Sequence, residues 1–372
     1  VLHSSNSFFN KVSVSSFSLN WGIPAGCKPL TICIPTNRNL KAAEASIKSA
    51  ISFCENDYSN LIISDNSNDK QKREILLNNK LPFLKTFFDG PKIAIENWLN
   101  AVNKSESLYT LILSDDDLIY NIEELDYSFE EAKKNNIIGI KPIISCWNKA
   151  VGIYRNNTFQ INEEDPLERI LSYRKNYSGD NTTMYSFFDT KILKDLLSIF
   201  LYHPTRGGYT DWAFMQALVS SGKILHDCSK LLIYKNNNWF GDKGFISNQE
   251  KKLFITAGLT ERGILFSILL RAIDVFILIL RQASPVNRQI LIVTAKNSFK
   301  FYIKSFLNFF HKNKILFFHK EISAIQKMNS EDKIEKVMED ALKVIAVFNI
   351  GLKDKYKNFY YKSIGQEWGN IK

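Results

Sequence analysis

Between Lys28 and Asp117 the chain three times runs a short apolar segment into a cluster of small polar and charged residues. Lys28 to Thr36 reads KPLTICIPT, Asn60 to Ser67 reads NLIISDNS, and Leu108 to Leu113 leads into Ser114-Asp115-Asp116-Asp117. Short β-branched and apolar runs bounded by Pro, Asn, Asp and Ser carry the pattern of buried strands. From Leu40 to Cys54, apolar and small residues recur at helical spacing, so the order is strand, helix, strand. That order predicts a βαβ unit and an α/β fold, in which ligands bind outside the carboxyl ends of the strands. The three polar termini, Thr36-Asn37-Arg38, Asp65-Asn66-Ser67 and Asp115-Asp116-Asp117, are therefore expected at one end of the sheet.

The acidic triplet is the chemically loudest of the three. Mutual repulsion raises the free energy of the empty site, and a divalent cation with a diphosphate would relieve it. The alternative for the same residues is a solvated turn, or the N-terminus of a helix beginning near Leu118, which acidic residues favour.

The series CIPTNRN, ISDNSND and LILSDDDL resembles the nucleotide-sugar-binding half of family 2 glycosyltransferases with the GT-A fold, particularly bacterial enzymes that build O-antigen and capsule polysaccharides. The resemblance covers roughly residues 28 to 240. It implies a Rossmann-like mixed sheet flanked by helices, with Pro35, Thr36 and Arg38 lining a nucleotide pocket and Asp65 accepting a hydrogen bond from the base. The triplet occupies the family's DXD region, which implies Asp115 on the nucleotide and Asp116 and Asp117 on a Mg²⁺ or Mn²⁺ bridging the diphosphate. Ser114 stands where many members have the first Asp of that motif.

The resemblance also implies a general base opening a helix on the acceptor side. Asp211 fits that place, after Gly207-Gly208 and before the helical run Ala213 to Ser220, although the family's Glu-Asp pair is Thr210-Asp211 here. Capping of that helix is the other role open to it. The implied reaction moves a sugar from a nucleotide-sugar donor, a UDP-sugar foremost, to a hydroxyl of a glycan or polyprenyl-linked glycan. Attack in line inverts the anomeric centre. Relatives also suggest that Asp89-Gly90-Pro91 with Asn97 and Trp98 surrounds the donor sugar, and that Lys235 lies near the pyrophosphate. A GT-A-like nucleotidyltransferase is an alternative, but it normally carries a glycine-rich loop after its first strand and CIPTNRN has no glycine. A non-catalytic scaffold domain is the other, and the intact triplet counts against it.

At 372 residues the chain has room for an N-terminal arm over 1–27, a GT-A domain over 28–248 and a basic, mainly helical C-terminal domain over 249–372. Residues 1 to 250 hold 27 Lys+Arg against 28 Asp+Glu, whereas residues 251 to 372 hold 21 against 10, so the basic character belongs to the C-terminal third. Within it, Gly263 to Leu280 is almost wholly apolar, but Arg271 and Asp274 in its middle argue for a buried helix over a lipid-exposed span. Their spacing of three places them on one face, where they can pair. Phe299 to Lys320 interleaves aromatic residues with lysines, a pattern shared by membrane-interface helices and by ordinary amphipathic helices. The C-terminal helices are thus expected to mediate inner-membrane surface contact, homo-oligomer formation or both, and no recognised nucleic-acid module accompanies them. Five scattered cysteines form no disulfide or zinc pattern and His203 and His226 lack a metal-ligand spacing, which together with the absence of a signal-peptide pattern suggests a cytoplasmic protein, peripheral at most on the inner face of the membrane.

Overall fold

The computed structural model describes residues 28–125, 127–176, 181–205, 211–236, 239–256, 258–259, 266–312 and 332–365. The expected arm over 1–27, Gly207-Gly208, Thr210 and the end of the basic aromatic stretch from 313 lie outside the described residues.

Nine strands form one mixed sheet: β1 Leu30–Thr36, β2 Ser59–Asp65, β3 Leu84–Phe87, β4 Tyr109–Ile112, β5 Leu118–Asn121, β6 Ile137–Asn148, β7 Gly152–Asn157, β8 Phe187–Asp189 and β9 Lys223–Lys235. Their order is β3-β2-β1-β4-β8-β6-β9-β5, with β7 hanging from β6. The first four strands are parallel, and β8, β5 and β7 join antiparallel. This is the expected α/β architecture, a Rossmann-like mixed sheet flanked by helices with further helices after it.

Strand β1 is buried at almost every position because helices cover both faces of the sheet. Its side chains divide with period two. Leu30, Ile32 and Ile34 join the core under the helix Leu40–Phe53, while Cys33 joins the core under the helices Ala94–Asn103, Thr190–Phe200 and Asp211–Ser221. Asn39 caps Leu40–Phe53 by accepting from the Ala42 N–H at 3.1 Å. Asp69 caps the helix Lys70–Asn78 through the Lys72 N–H at 3.1 Å and also takes the Leu40 N–H at 2.7 Å, tying the two helix starts together.

One open alternative and one open pairing are decided by the fold. The residues after the triplet form β5 in place of a helix, because Leu118 to Asn121 pair with Lys230 to Ile233 of β9. Arg271 and Asp274 do not pair. Asp274 is fully buried against His203, whose Nε2 lies 2.9 Å from Asp274 Oδ1, while Arg271 turns to Glu250 at 3.9 Å. A buried carboxylate needs its nearest desolvated partner more than a half-buried neighbour one turn away.

The C-terminal helices are not a separate body. Leu269, Leu270 and Ala272 to Ile279 of the helix Ser267–Ile279 are all buried, and they belong to the same apolar core as the sheet face beneath Asp211–Ser221. The expected boundary between 248 and 249 falls inside the helix Lys243–Thr256. In the helix Arg288–Lys312, Phe299 and Phe306 are buried while Phe301 and Lys304 are exposed, so the stretch is amphipathic. No helix among the described residues is long and apolar enough to cross a membrane.

Candidate active site

The sheet order reverses at β1, which has β2 on one side and β4 on the other. At such a switch point two loops leave in opposite directions and open a crevice between strand ends. A cavity of about 170 Å³ lies there. Pro35, Asn37 and Arg38 line it from β1, Asn66 from β2, and Ser114, Asp115 and Asp116 from β4. Lys92, Ala94, Asn97 and Trp98 close it from the start of the helix Ala94–Asn103, whose first N–H groups favour an anion. Of the segment singled out in the sequence, Asn97 and Trp98 thus line this cavity. Asn97 is fixed by Ser64, whose hydroxyl donates to Asn97 Oδ1 at 2.6 Å, and Asn66 Nδ2 donates to the Pro91 carbonyl.

The wall of this cavity is a chain of charges. Thr36 Oγ1 donates to Asp115 Oδ2 at 2.6 Å, and Arg38 reaches Asp115 Oδ1 through Nε at 3.2 Å and Asp116 Oδ2 through Nη1 at 2.8 Å. Desolvation works to lower the Arg38 pKa, but the Asp116 and Asp115 carboxylates outweigh it and hold the guanidinium above its ordinary value. Behind Thr36 lies Lys72, fully buried, with Nζ 2.9 Å from Asp65 Oδ1, 3.1 Å from Thr36 Oγ1 and 2.5 Å from the Arg38 carbonyl.

Two of the expected ligands behave differently. Asp65, expected to meet a nucleobase, is buried off the cavity wall, and its Oδ1 already accepts from Lys72 and from the Ser67 N–H at 2.9 Å. Asp117, expected on a metal, is also buried off the wall. Its Oδ1 accepts from the Lys235 N–H at 2.8 Å, and among the described residues its Oδ2 finds no partner in hydrogen-bond geometry. Burial pushes Asp117 from 3.8 up to about 7, against the opposing pull of that N–H. Lys235 thus meets the triplet through its backbone.

Does the triplet suit a divalent cation? Among the described residues no three His, Cys, Asp or Glu side chains converge as a metal site. Such cations commonly take only one or two carboxylates, with substrate phosphates and water completing the shell. Asp115 and Asp116 meet that requirement, because a positive guanidinium already occupies the space between them at the cavity wall. Asp117 does not.

A second cavity, of about 400 Å³, opens beside Asp211. Tyr154, Trp212, Tyr234, Trp239 and Phe240 supply its aromatic walls, and Arg155, Asn181, Glu250 and Arg271 its polar ones. Asp211 opens the helix Asp211–Ser221. The buried Arg169 ties down the other end of that helix, donating to the carbonyls of Val219 and Ser220 at 2.7 Å each. Crowding by protein pushes the Asp211 carboxyl above the ordinary range, while Asn181 and the Arg271 charge pull the other way.

The two cavities approach each other at a pair of tyrosines. Tyr185 and Tyr234 pack with ring centroids 5.2 Å apart, Tyr185 OH lies 3.2 Å from Ser114 Oγ, and Tyr234 lines the Asp211 cavity. Burial raises the Tyr234 phenol first, and then the charges of Asp117 and Asp211 raise it further, so one side chain feels both carboxylates.

Sequence reasoning missed Lys72, Lys92, Tyr185 and Tyr234. Lys72 left a faint trace: a lysine in the first turn of a helix opposes the helix dipole unless a carboxylate compensates it. The tyrosines left none, because their role depends on strands far apart in the chain.

No protein-family model matches the chain, and no curated protein matches it. Among solved structures, residues 1–349 of S. aureus TarS are similar at 13% identity over 91% of this chain and 92% of that one, with a TM-score of 0.44. The same TarS segment in complex with UDP-GlcNAc gives 14% identity, 91% and 93% coverage and a TM-score of 0.45. At this identity and TM-score, nothing about function passes from TarS to this chain.

Proposed function

We propose that the chain transfers a sugar from a nucleoside-diphosphate donor to a hydroxyl of a glycan or lipid-linked glycan. In this reading the donor lies in the switch-point cavity and the acceptor in the cavity beside Asp211. The observation that carries it is the contact between Tyr185 and Tyr234: Tyr185 OH lies 3.2 Å from Ser114 Oγ on the donor cavity wall, and Tyr234, its ring centroid 5.2 Å from that of Tyr185, lines the acceptor cavity. Two cavities with different linings, one charged and one aromatic, thereby approach each other across that pair of rings.

On the donor side, Pro35, Arg38 and Lys92 hold the nucleotide and its phosphates, while Thr36 keeps Asp115 in place through its 2.6 Å hydrogen bond. Asp116 and Asp115 would hold a Mg²⁺ or Mn²⁺, which as a Lewis acid stabilises charge on a departing diphosphate. Asp65 has a positioning role through Lys72, and Asp117 supports the wall beneath Lys235. On the acceptor side, aromatic faces and a few polar groups suit a saccharide ring. Asp211 takes the proton from the attacking hydroxyl, and its raised pKa makes it a stronger base than an ordinary carboxylate.

The test has two steps. Thermal shifts with UDP, GDP, dTDP and CDP, each with and without Mn²⁺, should single out one nucleotide that stabilises the protein. Asp211→Asn should then keep that nucleotide's affinity within about twofold while cutting sugar transfer by about 10²–10⁴-fold. Transfer surviving in the variant, or no stabilisation by any nucleotide, overturns the reading.

A further inference from the structure

The donor cavity holds a cation of its own where the proposed chemistry calls for another. Across the three aspartates, Asp115 Oδ1 and Oδ2, Asp116 Oδ2 and Asp117 Oδ1 are all bonded, and Asp117 Oδ2 is buried. Among the described residues, Asp116 Oδ1 alone has neither fate, and the Asp116 side chain is 30% exposed. A divalent ion could share both acids only if Arg38 gave way.

Arg38 is built to give way. Its side chain is 42% exposed, and it follows the end of β1 on the rim of the cavity. The acids are not so free. Asp115 is buried and held by Thr36, which is held in turn by the buried Lys72. The pivot of any rearrangement is therefore the arginine.

Charge gives the rearrangement a direction. Asp115 and Asp116 with Arg38 between them leave one net negative charge on the wall a diphosphate must approach. A divalent cation between the acids, with Arg38 still at the rim, turns that into one net positive charge. With Lys92 also lining the cavity, the first arrangement offers a diphosphate no net attraction and the second attracts it. A guanidinium is also weakly hydrated, and its planar fork matches phosphate oxygens as well as it matches carboxylates.

We propose that Arg38 is an exchangeable internal counter-ion. It neutralises Asp115 and Asp116 in the empty donor cavity, yields that place to a divalent cation when a nucleoside diphosphate enters, and re-pairs with the diphosphate. This rests on the donor-site reading above and adds to it a reason for metal and nucleotide to bind together.

Titration calorimetry on the full chain, with Mn²⁺ and UDP as probes, tests the exchange. Removing an opposite charge that competes at 3 Å-scale contact should matter by about tenfold or more. Arg38→Gln should therefore bind Mn²⁺ without nucleotide about tenfold more tightly than wild type, yet bind UDP more weakly at saturating Mn²⁺. Arg38→Lys, which keeps the charge, should leave nucleotide-free Mn²⁺ affinity within about threefold. Arg38→Ala serves as a second neutral variant should Arg38→Gln fail to fold. A gain of less than about threefold in the neutral variant overturns the exchange. If wild type still binds UDP with Mn²⁺, the donor site survives that failure; if wild type binds none of UDP, GDP, dTDP and CDP under any condition, the donor site falls too.

Discussion

Removing the carboxylate of Asp65 probes the charge chain at its most buried link. Lys72 Nζ has no exposure and three acceptors, of which only Asp65 Oδ1 at 2.9 Å is charged; Thr36 Oγ1 and the Arg38 carbonyl are neutral. Asp65→Ala leaves an ammonium in the interior without its counter-charge. Breaking a buried pair in this way costs about 3–5 kcal/mol. With a urea slope of about 3 kcal/mol per M, the upper part of the usual range, the unfolding midpoint should fall by about 1–1.7 M. Asp65→Asn keeps a neutral acceptor and should cost less, about 1.5–3 kcal/mol. The double variant Asp65→Asn/Lys72→Met, which removes both charges, should recover most of the loss. Urea unfolding followed by tryptophan fluorescence measures all three. A midpoint shift below about 0.3 M for Asp65→Ala, or a double variant no more stable than Asp65→Asn, would show that Lys72 is not held by this carboxylate.

Asp117 and Gly90 supply two further tests. A carboxyl raised from 3.8 to about 7 keeps its proton in the folded chain where the unfolded chain has lost it, so its contribution to stability is full below the lower value and is lost as pH rises to the upper one. Asp117→Asn, which still offers Lys235 an acceptor, should match wild type at pH 4 and exceed it at pH 8 by up to about 4 kcal/mol, at 1.36 kcal/mol per unit; parallel pH profiles in thermal unfolding would contradict this. At Gly90 a Cβ would meet Asn97 Oδ1 at 2.6 Å and Ser64 Oγ at 3.1 Å. Gly90→Ala should therefore displace Asn97 from the donor cavity and weaken UDP binding by about tenfold, the equivalent of an overpacking strain of about 1–3 kcal/mol; unchanged affinity by calorimetry would refute it.

Three of the four parallel strands, β1, β2 and β4, were legible because their signals are local. Apolar runs at 30–36, 59–65 and 109–112 and the helical spacing between the first two lie within single segments, and the polar strand ends mark one edge of the sheet. What failed to show was decided elsewhere in the chain. Leu118 to Asn121 took strand form because β9, more than a hundred residues later, offered an edge. Arg271 and Asp274 have the spacing of a helix pair, but His203 and Glu250 reached them first. The Asp211 cavity draws on residues from Tyr154 to Arg271, so no window of sequence contains it. Asp211 itself could be picked out because the helix it opens is legible. Its aromatic surroundings could not.

The all-round burial of Ser267–Ile279 bears on how this chain can be divided. A cut between 248 and 249 would sever a helix and uncover a broad oily surface, on one side beneath Asp211–Ser221 and on the other along Leu269 to Ile279. Neither fragment could hide that surface alone, so each would seek cover in aggregates. The later helices are thus less an accessory than a missing wall of the sheet's own interior. Buried apolar residues of Ser267–Ile279 share their core with the helix that begins with Asp211, so substitutions at them would reach that carboxylate from behind.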